Sequence, residues 1–322
     1  MVDHVKKFIN SQRFSHPILG GLVSALLFSF LYRVIGDFAT ILSIIPLAVV
    51  SFTHGDLKTL GPALGIALLH ITFLLALEQT LSYALYVAAP GIILPRLAMQ
   101  AKQQGRKKTW YPLERLSGAL GLYALCATVL LVVVWHFTNT GPKALEVLTT
   151  ALQQAPLEAQ DRIQLIFKYL TIIWPYVPGA SMGLFTLMIA ISTSLVQKWF
   201  KRHKVKFPRP ALKLSELYLP WWCWKAFAAV GAAWAISLQF DISTLQYVFG
   251  NLTLPLVALF LLQGLAIATA FAKKQQNPKM FLVLFYGFVV IFGWTLLILI
   301  LGGLLEPWLD LRTRLIQTKE KE

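Results

Sequence analysis

The sequence predicts an all-α protein, a polytopic bundle of transmembrane helices with about nine membrane segments. Three observations carry this. Hydrophobic residues make up 57% of the 322 residues, while Asp, Glu, Lys and Arg together make up only 13%, about half the charged share of a soluble globular protein. Mean hydropathy is +0.65. Apolar runs approaching the ~20 residues that cross ~30 Å of hydrocarbon recur along the whole chain. A chain this poor in charge cannot cover a soluble core with polar surface. A cytosolic enzyme, a secreted disulfide scaffold and a disordered protein are all excluded.

Residues 1–16 read as a basic leader carrying Lys6, Lys7 and Arg13. The first apolar run, 17–31, follows without a small-residue cleavage pattern and reads as a retained span. Further runs cover 38–52, 59–77, 81–94, 116–135, 176–196, 219–238, 252–271 and 280–305. Together they form a membrane domain over 17–305, followed by a polar tail at 306–322. No strand-type alternation or hairpin pattern competes with the helices. Between the fifth and sixth runs, Leu145, Leu148 and Leu152 make a stripe at helical spacing. That predicts an interfacial helix over 141–155, on the side opposite the basic loops.

Net charge is +15, from 29 Lys and Arg against 14 Asp and Glu. The basic residues cluster in short loops. Loop 96–115 holds six and loop 198–218 holds seven, whereas Arg33, Lys143, Arg162 and Lys168 fall on the other side. The positive-inside rule accounts for this and puts the N-terminus and both basic loops in the cytoplasm. No helix-turn-helix, zinc-finger or RNA-binding signature accompanies the charge, so no nucleic-acid partner is expected. The final run conflicts with strict alternation: one crossing would export Arg312 and Arg314, so either the tail is exported or the segment re-enters. Cys126 and Cys223 show no metal-type spacing.

Reaction chemistry finds no motif. HExxH, GxxxxGK[ST] and GxSxG are absent, and the six histidines are scattered with no pair four apart. No cofactor is expected. The candidate ligand-binding residues are intramembrane or interfacial polar groups: Arg33, Asp37, His70, Glu78 and Gln263. The first four would form a polar pocket opening away from the basic side, with Arg33 available to a substrate carboxylate. Against this, Arg33 and Asp37 would equally make an exposed ion pair, and His70 and Gln263 would equally serve as hydrogen-bonding glue between helices. Gly21, Ala25 and Ser29 lie four apart on one face of the first span, which suits either docking of a partner subunit or close packing within the chain. Runs 38–52 and 81–94 are short; the first contains Pro46 and the second ends in Ala89-Pro90-Gly91. Such broken spans either frame a ligand cavity or are simple kinks.

The succession IIPLAVV (44–50), TWYPLERL (109–116), KLSELYLPWW (213–222), LFLLQGLAIATA (259–270) and LGGLLEPWLDLRTR (301–314) resembles the YybS-like family of bacterial predicted membrane proteins, a domain of unknown function. That family is similar in turn to the substrate-binding S components of energy-coupling factor vitamin transporters. The resemblance implies a location in the bacterial inner membrane, an S-component-like core, and docking through Gly21, Ala25 and Ser29 on a transmembrane coupling subunit that works with ATPase subunits. The chain departs from S components in having about three spans beyond their usual six. The expected function is a transporter-like component that binds a small molecule or lipid and depends on partner subunits. A structural or assembly factor of the envelope and a membrane-embedded lipid-modifying enzyme are the alternatives.

Overall fold

A computed structural model describes residues 17–54, 57–75, 77–104, 107–138, 146, 149–150 and 168–317. The leader 1–16 and most of the expected interfacial helix 141–155 lie outside the described residues. The chain opens with α1 (Pro17–Ile35), α2 (Ala39–His54) and α3 (Leu57–Leu74). Between α1 and α2, Gly36 adopts φ +56°, a left-handed conformation that costs glycine little, and the chain reverses there. Helices α1 and α2 run antiparallel: Gly20 meets Pro46 and Val50, and the Ser24 hydroxyl donates to the Ser43 carbonyl at 2.6 Å. Helix α3 runs parallel to α1, with Gly21 against the Ala63 backbone and Arg33 beside the Leu74 carbonyl.

Helices α4 (Leu77–Tyr83) and α5 (Ala89–Met99) are joined by a π-helical turn, Ala84–Ala88, and form one run across the bundle. The Tyr123 hydroxyl donates to the Leu85 carbonyl inside that turn. Strands β1 (Ala101–Gln104) and β2 (Lys107–Trp110) then pair antiparallel, with Ala101 opposite Trp110. This short pair, which no alternation in the sequence announced, is the one sheet among the described residues of an otherwise helical chain. Polar residues occupy both faces of the pair, so the hydrophobic alternation that normally signals a strand is missing. Helices α6 (Leu113–Thr138), α7 (Val177–Arg202), α8 (Trp221–Gln239), α9 (Ser243–Ala272), α10 (Pro278–Ile291), α11 (Thr295–Leu309) and α12 (Leu311–Gln317) follow.

All nine apolar runs fall in helices, but length and apolarity separate them. Among the described residues, five helical runs are long and apolar enough to cross a membrane: α1, Gln79–Met99, α6, Lys168–Arg202 and α9. Helices α2 and α3 are apolar but shorter, and the α10–α11 pair makes a sixth if it is one broken span. Helix α8 has the length, but its four tryptophans, with Lys225 and Gln239, leave it outside that apolar set. By length and composition, the described residues thus support five spans, or six with the α10–α11 pair, and do not bear out the count of about nine.

Helix α9 is the hub of the bundle, with Leu256, Leu259, Phe260, Gln263 and Ala266 buried. It meets α11 through two glycines: a Cβ on Gly264 would overlap the Leu299 carbonyl, and one on Gly303 would overlap the Phe260 carbonyl. In lipid, where apolar side chains gain little from leaving the solvent, such close backbone approach supplies the packing. Helices α10 and α11 bend by 115° at Phe292–Trp294. Lys273, at the end of α9, reaches the Ser215 hydroxyl, and Arg312, beyond α11, donates to the Ser215 carbonyl at 3.1 Å. The chain therefore leaves one end of the bundle in α10 and returns to the same end in α11. This hairpin resolves the conflict in the final run: Arg312 joins the end that carries the basic loops. Within the stretch read as a polar tail, α11 continues through Leu309, and Glu306 and Arg312 are buried.

Candidate functional site

The segment between α7 and α8 is a structured strap laid across the basic end of the bundle. Phe207 packs between Phe52 and Phe200, with ring centroids 4.9 and 5.1 Å away. Arg209 donates to the Ala98 carbonyl at 2.6 Å and lies 5.8 Å over the Trp110 ring, and burial lowers its pKa from the ordinary arginine value. Gln197 holds Leu212 at both ends: its amide donates to the Leu212 carbonyl (3.1 Å) and its oxygen accepts from the Leu212 N–H (2.8 Å). The Ser117 hydroxyl donates to the Tyr218 carbonyl at 2.6 Å.

Arg312 locks the far end of the strap. Its guanidinium donates to the carbonyls of Ser215 (3.1 Å) and Leu217 (2.6 Å) and lies 4.0 Å over the Tyr218 ring. Its Nε is 3.1 Å from a Glu306 carboxylate oxygen, an ion contact off the line of a hydrogen bond. The other carboxylate oxygen accepts from the Leu311 N–H at 3.0 Å. Asp310, at φ +43°, makes the left-handed turn that folds Arg312 back onto Glu306. Burial is the largest influence on Arg312 and lowers its pKa, while Tyr218 and Glu306 act in the opposite direction.

Beneath the strap lies a cavity of about 660 Å³, within the ~300–1,000 Å³ range of small-molecule sites. Helix α2 contributes Ile44 and Phe52, α5 contributes Pro90, Gly91 and Leu94, and α6 contributes Leu120. One face of α7, from Leu187 to Lys198, forms the long wall, and Leu261, Leu262 and Leu265 of α9 form the back. Tyr286, Val289 and Val290 of α10, with Leu296 of α11, flank the opening, while Leu212–Leu214 and Leu217 of the strap close the basic end. Both short spans flagged in the sequence, α2 and the π-interrupted α4–α5, contribute to the walls. Val290 is 83% exposed and Ile191 50% exposed, so the cavity is a groove opening sideways between α7 and α10.

Of the sequence-predicted ligand residues, Arg33, His70 and Gln263 are absent from this lining. Arg33 is exposed and donates to the Leu74 carbonyl at 3.4 Å. The side chains of Asp37 and Glu78 lie outside the described residues. His70 is half-buried, with a buried Nε2 that has no hydrogen-bond partner among the described residues, and the buried Ser29 hydroxyl likewise has none there. Gln263 is fully buried but holds the strap: its oxygen accepts from the Leu219 N–H at 2.8 Å, while its amide nitrogen has no partner among the described residues. It is absent from the groove lining, where its neighbours Leu261, Leu262 and Leu265 appear. Gly21 and Ala25 are buried with Ser29, and Gly21 rests on the Ala63 backbone of α3, so the small-residue face packs inside the chain. Among the described residues, no group of three His, Cys, Asp or Glu comes together to hold a metal ion. Sequence reading missed Arg312, Glu306, Arg209 and the groove wall on α7. The only sequence signal for the wall was the apolar length of its helix.

Helices of this length and apolarity, with a laterally open groove, define a multi-pass helical membrane protein. The chain belongs to the DUF2232 family of predicted membrane proteins, whose family model matches residues 21–305. No curated protein matches the chain, and no solved structure does.

Proposed function

We propose that this protein binds a small hydrophobic molecule or lipid that enters the groove from the membrane. In this reading it sits in the bacterial inner membrane, with its N-terminus and strap on the cytoplasmic side, and acts as a transporter-like component served by partner subunits. The groove is the observation that carries the binding step: its volume suits a ligand, its walls are apolar, and it opens between two helices rather than toward one end. The concentration of Lys and Arg at the strap end supports the orientation. The resemblance of the sequence motifs to the YybS-like family, and through it to S components, is what suggests dependence on partners. With α1's small residues packed against α3, a partner subunit would meet another face of the chain.

Native mass spectrometry of the protein purified in mild detergent tests the binding step. The wild type should retain a small-molecule or lipid adduct. Ala190→Phe and Ser194→Trp, which place rings on the α7 wall, should lose it while keeping the wild-type circular dichroism. Ser194 is exposed, so at least that variant should fold. Equal adduct in folded blocked variants and wild type would overturn the reading.

A further inference from the structure

We propose that the ligand of this groove is an acyl-chain lipid with an anionic headgroup, its chain against the α7 and α9 wall and its head at Lys198. This inference rests on the groove being the ligand site and narrows what it accepts. The argument starts from the hydrogen-bonding capacity of the lining. Thr193 donates to the Ile189 carbonyl, Ser194 to the Ala190 carbonyl and Ser192 to the Ile41 carbonyl. Ser117 is taken up by Tyr218, and both ends of the Gln197 amide by Leu212. The polar side chains of the wall thus already hold protein partners. A polyhydroxylated or heterocyclic ligand would lose its hydrogen bonds to water on entering and regain few, which is costly in an apolar site. A hydrocarbon chain loses nothing there.

The exceptions are the single hydroxyl of Tyr286 on α10, which is 39% exposed, and two ammonium groups, Lys198 and Lys213, which both belong to the groove's basic end. Lys198 lies on the exposed edge of the α7 wall, and among the described residues no hydrogen bond or ion pair engages it. Lys213 pairs with Glu216 at 2.8 Å, but both side chains are 57% exposed, and such surface pairs are worth little and exchange readily. The groove therefore joins a long apolar wall to a cationic rim at one end. That is the pattern of an amphiphile with one negative end. Since the opening lies between α7 and α10, the chain enters sideways from the bilayer while the head stays at the interface, where lysine side chains reach it.

The test titrates delipidated full-length protein in a neutral detergent with phosphatidylglycerol, phosphatidylcholine of the same chains, and oleate, and reads bound mass by native mass spectrometry. The wild type should favour phosphatidylglycerol over phosphatidylcholine by roughly fivefold, the factor for one lysine near a lipid head. Lys198→Ala should bring that ratio near one while phosphatidylcholine binding persists, and Lys198→Arg should restore it. Ser194→Trp should reduce binding of every lipid. Oleate binding with the same dependence on Lys198 would assign a free fatty acid, and binding confined to phosphatidylglycerol would assign a membrane phospholipid. Groove-dependent binding without headgroup preference would overturn the anionic assignment and leave the groove as a ligand site. A preference that survives Ser194→Trp would put anion recognition on the outer basic loops and overturn it too. No binding by wild type would overturn both readings.

Discussion

Arg312 offers the sharpest energetic test of how the C-terminal hairpin is held. Replacing it with Ala would strand Glu306, whose side chain is 2% exposed, without its counter-charge. The same change would free the carbonyls of Ser215 and Leu217 and remove the cation from the face of Tyr218. Breaking a buried ion pair by removing one partner costs ~3–5 kcal/mol, because the remaining charge stays uncompensated. The two carbonyl hydrogen bonds and the ring contact involve the same guanidinium, so they belong to this figure and do not add to it. The expected loss is therefore about 3–5 kcal/mol, read from denaturant unfolding in detergent micelles. The double variant Glu306→Leu/Arg312→Leu removes both charges and should cost less than Arg312→Ala alone, since no charge is left buried. A full cycle with the single variants isolates the coupling. An effect of Arg312→Ala within ~0.5 kcal/mol, or a coupling that small, would refute the latch.

Gln263→Leu should destabilise the protein by about 1–3 kcal/mol, because it leaves the buried Leu219 N–H without an acceptor; an unchanged denaturation midpoint would count against that anchor. Ala25 is fully buried, so Ala25→Leu should overpack the small-residue face of α1 and cost ~1–3 kcal/mol. Release of a co-purifying subunit at unchanged Tm would instead make that face a docking surface. Single cysteines at positions 204 and 314, in a background lacking Cys126 and Cys223, should react with an impermeant reagent from the same side of the membrane. Labelling from opposite sides would remove the re-entrant hairpin.

Much of the helical layout was legible because a membrane span leaves a long, continuous apolar signal. Each apolar run is helical, the last one split into α10 and α11, and the two short runs with Pro46 and Pro90 help wall the groove. What escaped reading depends on contacts distant in sequence or on local backbone geometry. The β1–β2 pair carries Lys and Gln on both faces, so pattern says nothing while the backbone ladder forms regardless. Arg312 reads as part of a polar tail until the left-handed turn at Asp310 brings it to Glu306 and carries it into the strap. Gln263 drew attention as an intramembrane polar residue, but its partner, Leu219, is 44 positions away. The groove is assembled from α2, α5, α6, α7, α9 and the α10–α11 hairpin at once, and no local spacing encodes such convergence.

A density map of the protein in nanodiscs containing phosphatidylglycerol tests the central claim most directly. The groove should hold an elongated density along α7 between Leu187 and Lys198, touching Leu262 on one side and Val290 on the other, with its head beside the Lys198 ammonium. A groove closed by α10 packing onto α7, or an open one holding only disordered solvent while lipid density gathers elsewhere, would contradict it.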